Sequence, residues 1–333
     1  MAVMMSACDA LRINEDLSVC GKDAEVIYTV RLLTNLQTEL RTELTTAQEQ
    51  LVSHSLESAL RDYFNERAYD IDLAFFNEAR ELAYSENHII NANEASYTIY
   101  LPAQNYRHVS VANTTAHSNL QYRDKDVLSS FAVQQAAGDT LDSHTSGLFT
   151  ARANINIDDI EADQVFNVVL YMQNSAVALV LDPGEIAGRP VSGCLVGLAD
   201  GFQVNDSVYS YDRSVPVRMM PLSDNESGLY CLYGKAFPSR DALPPAPAPL
   251  MSTRGETTAD ESDALWQIHV FVTNHDQTVT QTKLFIPTSL PAGELCIIKG
   301  NIAPDGRVIP NLQQVGVSVT LDWKPGGTYN PEL

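Results

Sequence analysis

Basic residues are scarce in this 333-residue chain. Lys and Arg number 21 against 42 Asp and Glu, a formal net charge of −21. Nucleic-acid binding needs clustered Lys and Arg to displace phosphate counterions, so this composition argues against it. It argues equally against adsorption on anionic lipid without a covalent anchor. No run of about 18 apolar residues is present to form an internal transmembrane helix. Tryptophan is limited to Trp266 and Trp323, both in strand-like runs, which weakens ring stacking on sugars as a main role; 14 tyrosines leave it open. The five cysteines, Cys8, Cys20, Cys194, Cys231 and Cys296, include no C-x-x-C pair, so zinc and thioredoxin-like chemistry have no support. The last three lie in apolar runs and read as small buried hydrophobes. Also missing are H-E-x-x-H, G-x-S-x-G and a phosphate-binding glycine loop. The histidines, at 54, 88, 108, 117, 144, 269 and 275, share no metal-ligand spacing. The expectation is therefore no catalytic residue, no cofactor, no metal and no small-molecule substrate.

What the chain does have is strand-like alternation. Residues 25–33 mix β-branched and aromatic side chains, and residues 70–75 alternate polar with apolar, the pattern of a half-buried strand. Residues 97–101 and 106–111 follow, with Pro102 to Asn105 as the turn. Residues 148–157, 165–172 and 176–181 continue the pattern, the last two as a hairpin over Gln173-Asn174-Ser175. It pauses at Asp182-Pro183-Gly184-Glu185, where a domain boundary is expected. Strands resume at 192–199, 207–211, 215–222 and 228–237. Residues 265–273 and 278–286 flank Asn274-His275-Asp276-Gln277 as a hairpin. Residues 294–302 and 315–323 close the chain, with Asp305-Gly306 as a turn between them. Pro244, Pro245, Pro247 and Pro249 cannot enter a sheet interior, so 243–263 reads as an exposed extended loop. Many short strands at regular spacing indicate β-sandwiches, and the length suits two of them, at 8–183 and 184–333.

One stretch departs from the strand pattern. Residues 45–67 place Leu51, Leu56, Ala59, Leu60, Tyr63 and Phe64 at helical spacing. This predicts an amphipathic helix near 45–66, between the first two strands, with its apolar stripe in core contact. Thr46 and Glu49 match a capping box, and a start near Ser55 is the alternative. Asp70 and Asp72 share a strand face and admit two readings, calcium ligands or a solvent face opposite Ile71, Leu73 and Phe75. The acidic group Asp158, Asp159, Glu161 and Asp163 admits the same pair. Asp139-Thr140-Leu141 and Asp206-Ser207-Val208 have the form of an O-glycosylation acceptor, or of an ordinary turn and strand start.

The N-terminus carries a different signal. Met5-Ser6-Ala7-Cys8 has the form of a bacterial lipobox, in which the thiol takes lipid. Only seven residues precede Cys8, none of them Lys or Arg. Read alone, Cys8 is either a lipidated cysteine with a shortened export signal or merely a cysteine near an N-terminus, paired with Cys20 or without a role. Glu15-Asp16-Leu17-Ser18-Val19-Cys20 and the strand-like 26–33 follow. Then come Asp70 to Phe76, Tyr97-Thr98-Ile99-Tyr100-Leu101-Pro102, Tyr106 to Asn113, Gly147 to Ala151 and 168–180. In that order they resemble the FimB-type fimbrial anchor family of Gram-negative anaerobes, a group of fimbrillin-like lipoproteins. The resemblance covers most of the chain, and its specificity lies in the order of motifs.

The resemblance implies an all-β protein of two transthyretin-like β-sandwich domains, with the helix as an insertion in the first. It implies export as an outer-membrane lipoprotein, with Cys8 as the lipidation site. It further implies a structural role as fimbrial anchor or accessory subunit at the cell surface, with other fimbrial subunits and the membrane as partners, and no enzymatic activity. A surface adhesin binding host glycan or protein is the alternative function. Proteins resembling this one assemble by strand addition, so strand 25–33 is expected to stay in place and contact to run through the second domain.

Overall fold

A strand covered on both faces needs apolar residues at every position rather than every second one. Ser175–Asp182 (β10) is such a strand, buried at every residue except Asp182. Ala176, Ala178 and Val180 belong to one core cluster, and Val177, Leu179 and Leu181 to another. That is the two-residue period of a pleat between two hydrophobic layers. The computed structural model describes residues 24–33, 44–61, 63–64, 69–89, 96–114, 119–157, 164–213, 215–223, 226–242, 263–311 and 316–322.

The described strands form four sheets, labelled in chain order. The largest has seven strands in the order Leu82–Ile89 (β3), Asp70–Phe76 (β2), Asn105–Ala112 (β5), Phe149–Asn156 (β8), Gln164–Met172 (β9), Ala24–Leu33 (β1) and Ser96–Leu101 (β4). A four-stranded sheet runs Val208–Ser210 (β13), Gly201–Gln203 (β12), Ala132–Gln135 (β7), Leu120–Arg123 (β6). One five-stranded sheet runs Met220–Pro221 (β15), Tyr230–Ala236 (β16), β10, Leu295–Ile302 (β19), Val308–Pro310 (β20). The other runs Val217–Arg218 (β14), Val191–Val196 (β11), Trp266–Thr273 (β17), Val279–Ile286 (β18), Gly316–Asp322 (β21). The helix Ala47–Leu60 (α1) lies between β1 and β2 in the chain.

Three cores hold these layers together. The two five-stranded sheets enclose Val177, Leu179, Ile268, Val270, Leu284 and Ile298. The four-stranded sheet covers part of the seven-stranded one over Phe76, Val109, Val111, Val133 and Phe202. The third core gathers Val52, Leu56 and Leu60 of α1, Ile71, Leu73 and Leu170 of the seven-stranded sheet, and Ala176, Cys231 and Leu295 of the first five-stranded sheet. The helix thus packs where the two halves of the chain meet.

Several sequence expectations need correction. Residues 165–172 and 176–181 are strands but not a hairpin: β9 pairs with β1 and β8, and β10 with β16 and β19. Backbone pairing therefore crosses the boundary expected at 183/184, since β10 joins the sheet of the later strands. The four-stranded sheet crosses it too, pairing β7 with β12. β4 and β5, joined through Pro102 to Asn105, also pair elsewhere, β4 with β1 and β5 with β2 and β8. Residues 215–222 break into β14 and β15, which join different sheets. The Asp305-Gly306 turn leads into β20, not directly into β21. β17 and β18 form the expected hairpin. The loop expected at 243–263 lies outside the described residues except for Asp263, as do Cys8, Cys20, the acidic group at 158–163 and Trp323.

Candidate functional site

The first strand, expected to stay in place, is the first element of interest. β1 lies in the interior of the seven-stranded sheet. It runs parallel to β9 from Val26↔Gln164 to Leu33↔Tyr171, and antiparallel to β4 from Ala24↔Leu101 to Thr29↔Ser96. Ala24 and Val26 are fully buried, beside Ile99 and Leu101 of β4 and Val168 and Leu170 of β9 in one core. Among the described strands β4 pairs with β1 alone. Taking β1 away would leave β9 with an open edge, β4 without a ladder, and a groove lined by those core residues. The opposite face of this end of the sheet exposes Tyr100, Val165 and Tyr171, each more than half accessible.

The helix behind β1 is fixed at both ends. Thr46 Oγ1 accepts from the Glu49 amide at 3.2 Å, and Glu49 Oε2 accepts from the Thr46 amide at 2.8 Å, a reciprocal capping box. The start is therefore at Thr46 and not near Ser55. Val52, rather than Leu51, joins Leu56 and Leu60 in the core; Leu51 is exposed. Glu49 also meets Lys299 of β19 at 3.0 Å. Burial alone would raise the Glu49 pKa, but the Thr46 amide and Lys299 outweigh it and hold the carboxyl at about 2. Beyond the helix, the hydroxyl of Tyr63 donates to the Ser175 carbonyl of β10 at 2.7 Å. A Cβ added at Gly147 would sit 2.5 Å from the Tyr63 carbonyl oxygen, so this close approach requires glycine.

A cleft of about 580 Å³ opens on the rim of the seven-stranded sheet, beside the four-stranded one. Asn105 and Arg107 of β5 and Asn154 and Asn156 of β8 form its floor. Asn77 comes from the turn after β2 and Asn205 from the turn between β12 and β13. Arg107 donates through Nε to Asn205 Oδ1 at 2.9 Å, through Nη2 to the Asn205 carbonyl at 3.2 Å, and through Nη1 to Asn154 Oδ1 at 3.1 Å. Arg152 donates to the same Asn205 carbonyl at 2.7 Å. Burial lowers the Arg107 pKa, the neighbouring Arg152 charge lowers it further, and Asp206 opposes both. Sequence reading missed this cleft because it draws on separate segments. The one local signal was the run Arg152-Ala153-Asn154-Ile155-Asn156, whose polar residues all face one side.

The other candidates resolve differently. Asp70 and Asp72 do not form a plain solvent face. Asp70 is buried and accepts from the Thr114 amide at 3.1 Å. Asp72 accepts from the hydroxyls of Thr114 and Tyr122 under the four-stranded sheet. β2 is thus covered on both faces, not half-buried. Among the described residues no group of three His, Cys, Asp or Glu side chains could hold a metal ion. Cys231 is buried and Cys194 and Cys296 half-buried, all three as free thiols. Burial pushes Cys194 up to about 11 and Cys231 up to about 12, so neither is a ready nucleophile. Ser207 is exposed in the β12–β13 turn with φ of 56°, while Leu141 is buried and bridges Val217.

No protein-family model matches the sequence, and no curated protein matches it either. The fold is shared with solved structures. A proposed adhesin from Bacteroides ovatus superposes over 91% of this chain and 96% of its own, with a TM-score of 0.50 and 10% identity. Proposed polysaccharide-binding proteins from Bacteroides thetaiotaomicron superpose over 88% and 98%, with a TM-score of 0.50 and 7% identity. At these identities the likeness is one of fold. The fimbrial anchor protein Mfa2 from Porphyromonas gingivalis aligns over 90% of this chain and 98% of its own at 9% identity, and its TM-score of 0.43 carries no argument.

Proposed function

We propose that this chain is a structural subunit of a cell-surface fimbria, of anchor or accessory type, exported as an outer-membrane lipoprotein with lipid on Cys8. It comprises two transthyretin-like sandwiches, with the helix as an insertion in the first. The observation that carries the reading is the ordered set of fimbrial-anchor motifs whose described members fall on β1, β2, β4, β5, β8, β9 and β10. The place of β1 supports the anchor assignment. A strand laddered on both sides fills the groove that a donor strand would otherwise occupy, so the N-terminal sandwich accepts no donor and contact runs through the second. Its partners are other fimbrial subunits, and it is not an enzyme.

The test is made in cells, with the precursor carrying a full export signal. The native protein is expected to partition with outer membranes and to carry lipid on the Cys8 peptide by mass spectrometry, whereas Cys8→Ser is released. Retention of the variant with no lipid on the native peptide refutes the anchor. A surface-extracted protein whose N-terminus begins after Leu33 would instead make it a subunit that loses β1. A second reading, a surface adhesin, draws on the fold shared with the proposed Bacteroides ovatus adhesin.

A further inference from the structure

We infer that the asparagine-lined cleft at the β5–β8 rim is a binding site for an acidic sugar, a saccharide bearing a carboxylate or sulfate. The argument begins with charge. This chain has twice as many acidic as basic residues, and Arg213, Arg218 and Arg307 each sit beside an aspartate. Arg107 and Arg152 form no such pair: among the described residues neither has a carboxylate at ion-pair distance, and the nearby Asp206, which acts on Arg107 from further off, takes the side-chain amide of Asn205. Instead the two guanidiniums converge on one carbonyl, that of Asn205. Arg107 lines the cleft and Arg152 stands beside it, on the carbonyl of the lining residue Asn205; two like charges held this close repel each other, and an anion placed between them relieves that repulsion. Arginine presents a planar fork suited to a carboxylate or sulfate.

The rest of the lining selects the kind of anion carrier. Asn105 uses its amide nitrogen on Glu78 at 2.6 Å, which leaves its oxygen to accept from a ligand. Asn154 uses its oxygen on Arg107, which leaves its nitrogen to donate. Hydroxyls both donate and accept, so they suit such a pair. A peptide is disfavoured because the cleft offers no strand edge: β5 and β8 are already paired here, from Asn105↔Asn156 to Arg107↔Asn154. A neutral sugar is disfavoured because among the described lining residues no exposed ring is available for stacking. Tyr106 is buried, with its hydroxyl donated to the Pro102 carbonyl at 2.9 Å. Glu78 meets Asn105, and Arg80 adds a further guanidinium to the lining, so the anionic group belongs away from Glu78, toward Arg107 and Arg152. The cleft volume falls in the range of small-ligand sites.

The site is independent of the fimbrial proposal, which needs no ligand here, so failure of one leaves the other standing. The experiment is titration calorimetry on the full chain with four probes: trigalacturonic acid, a sulfated disaccharide from heparin, the neutral trisaccharide of galactose, and a triglutamate peptide. At least one of the two acidic saccharides is expected to bind, more weakly as salt is raised, and to bind better than the neutral sugar and the peptide. Arg152→Gln, at an exposed position, is expected to weaken that binding by about tenfold or more, the loss of one charged hydrogen-bonding partner. Asn154→Ala is a second variant that leaves both charges in place, and it is expected to weaken the saccharide more than free sulfate. Thermal melts check that both variants fold. Absence of binding by both acidic saccharides overturns the proposal. So does equal binding of the neutral sugar, or tighter binding of the peptide, or unchanged affinity in a folded Arg152→Gln protein.

Discussion

At the scale of single residues, burial decides which groups can hold charge. His108 of β5 is fully buried, stacked on Phe75 at 4.2 Å, with Nδ1 3.1 Å from the Ala74 carbonyl. A carbonyl only accepts, so Nδ1 carries the proton and donates. Burial pushes the imidazole pKa down to about 3 from the ordinary 6.5, with the Ala74 bond opposing and Arg107 adding to the fall. Protons therefore bind the unfolded chain first. The stability held in the neutral ring is complete above about pH 6.5 and is lost as pH falls from there toward 3, at up to about 1.4 kcal/mol per unit. Between pH 7 and pH 5 this amounts to about 2 kcal/mol. His108→Phe keeps a ring against Phe75 and removes the titration. Urea denaturation at the two pH values should show the native protein losing about 2 kcal/mol more than the variant. Equal losses would assign the acid sensitivity to other groups.

At the scale of elements, local signals were legible and partners were not. The capping box of α1 is written in Thr46 and Glu49, and Thr46→Ala is expected to cost about 1 kcal/mol by chemical denaturation. A cost below about 0.3 kcal/mol would mean that the tertiary contacts of Val52, Leu56 and Leu60 hold the helix start unaided. The β17–β18 hairpin could be read because its two strands are neighbours in both chain and sheet. β9 and β10 are neighbours in the chain alone. Each finds its parallel partner far away, β9 in β1 and β10 in β19, and no local periodicity marks such a pairing. β10 also shows why its sheet was not legible: an unbroken apolar run looks the same whichever sheet it joins. β6, β7, β12 and β20 have three or four residues each, too few for a period to emerge. The alternation of Asp70 to Phe76 suggested one wet face. Asp72 instead spends its carboxylate on Tyr122 and Thr114 under a covering sheet, and of the cleft asparagines only Asn154 and Asn156 leave a local trace, because folding alone brings Asn77, Asn105 and Asn205 to them.

At the scale of the whole molecule, the shared core around α1 sets how the chain unfolds. Two sandwiches linked only by a flexible segment would melt separately. Here one hydrophobic cluster contains α1, the seven-stranded sheet and the β10–β16–β19 face of the other half. Tyr63 ties the end of the helical region to Ser175, Glu49 ties its start to Lys299, and the amine of Lys235 lies 5.2 Å from the Tyr63 ring centre. The four-stranded sheet adds a further link, since β7 and β12 come from opposite sides of residue 183. Unfolding either half would expose apolar surface belonging to both. Calorimetry should therefore show one transition, with calorimetric and van't Hoff enthalpies in agreement. Leu56→Ala probes the shared core directly. Leu56 is fully buried in it, and its truncation is expected to cost about 2–5 kcal/mol and to move the single transition down without splitting it. Two resolved transitions in the native protein would show that the halves unfold independently. A variant in which only part of the enthalpy shifts would place α1 in the N-terminal half alone, and the helix would then not couple β1 to the sandwich proposed to meet a partner.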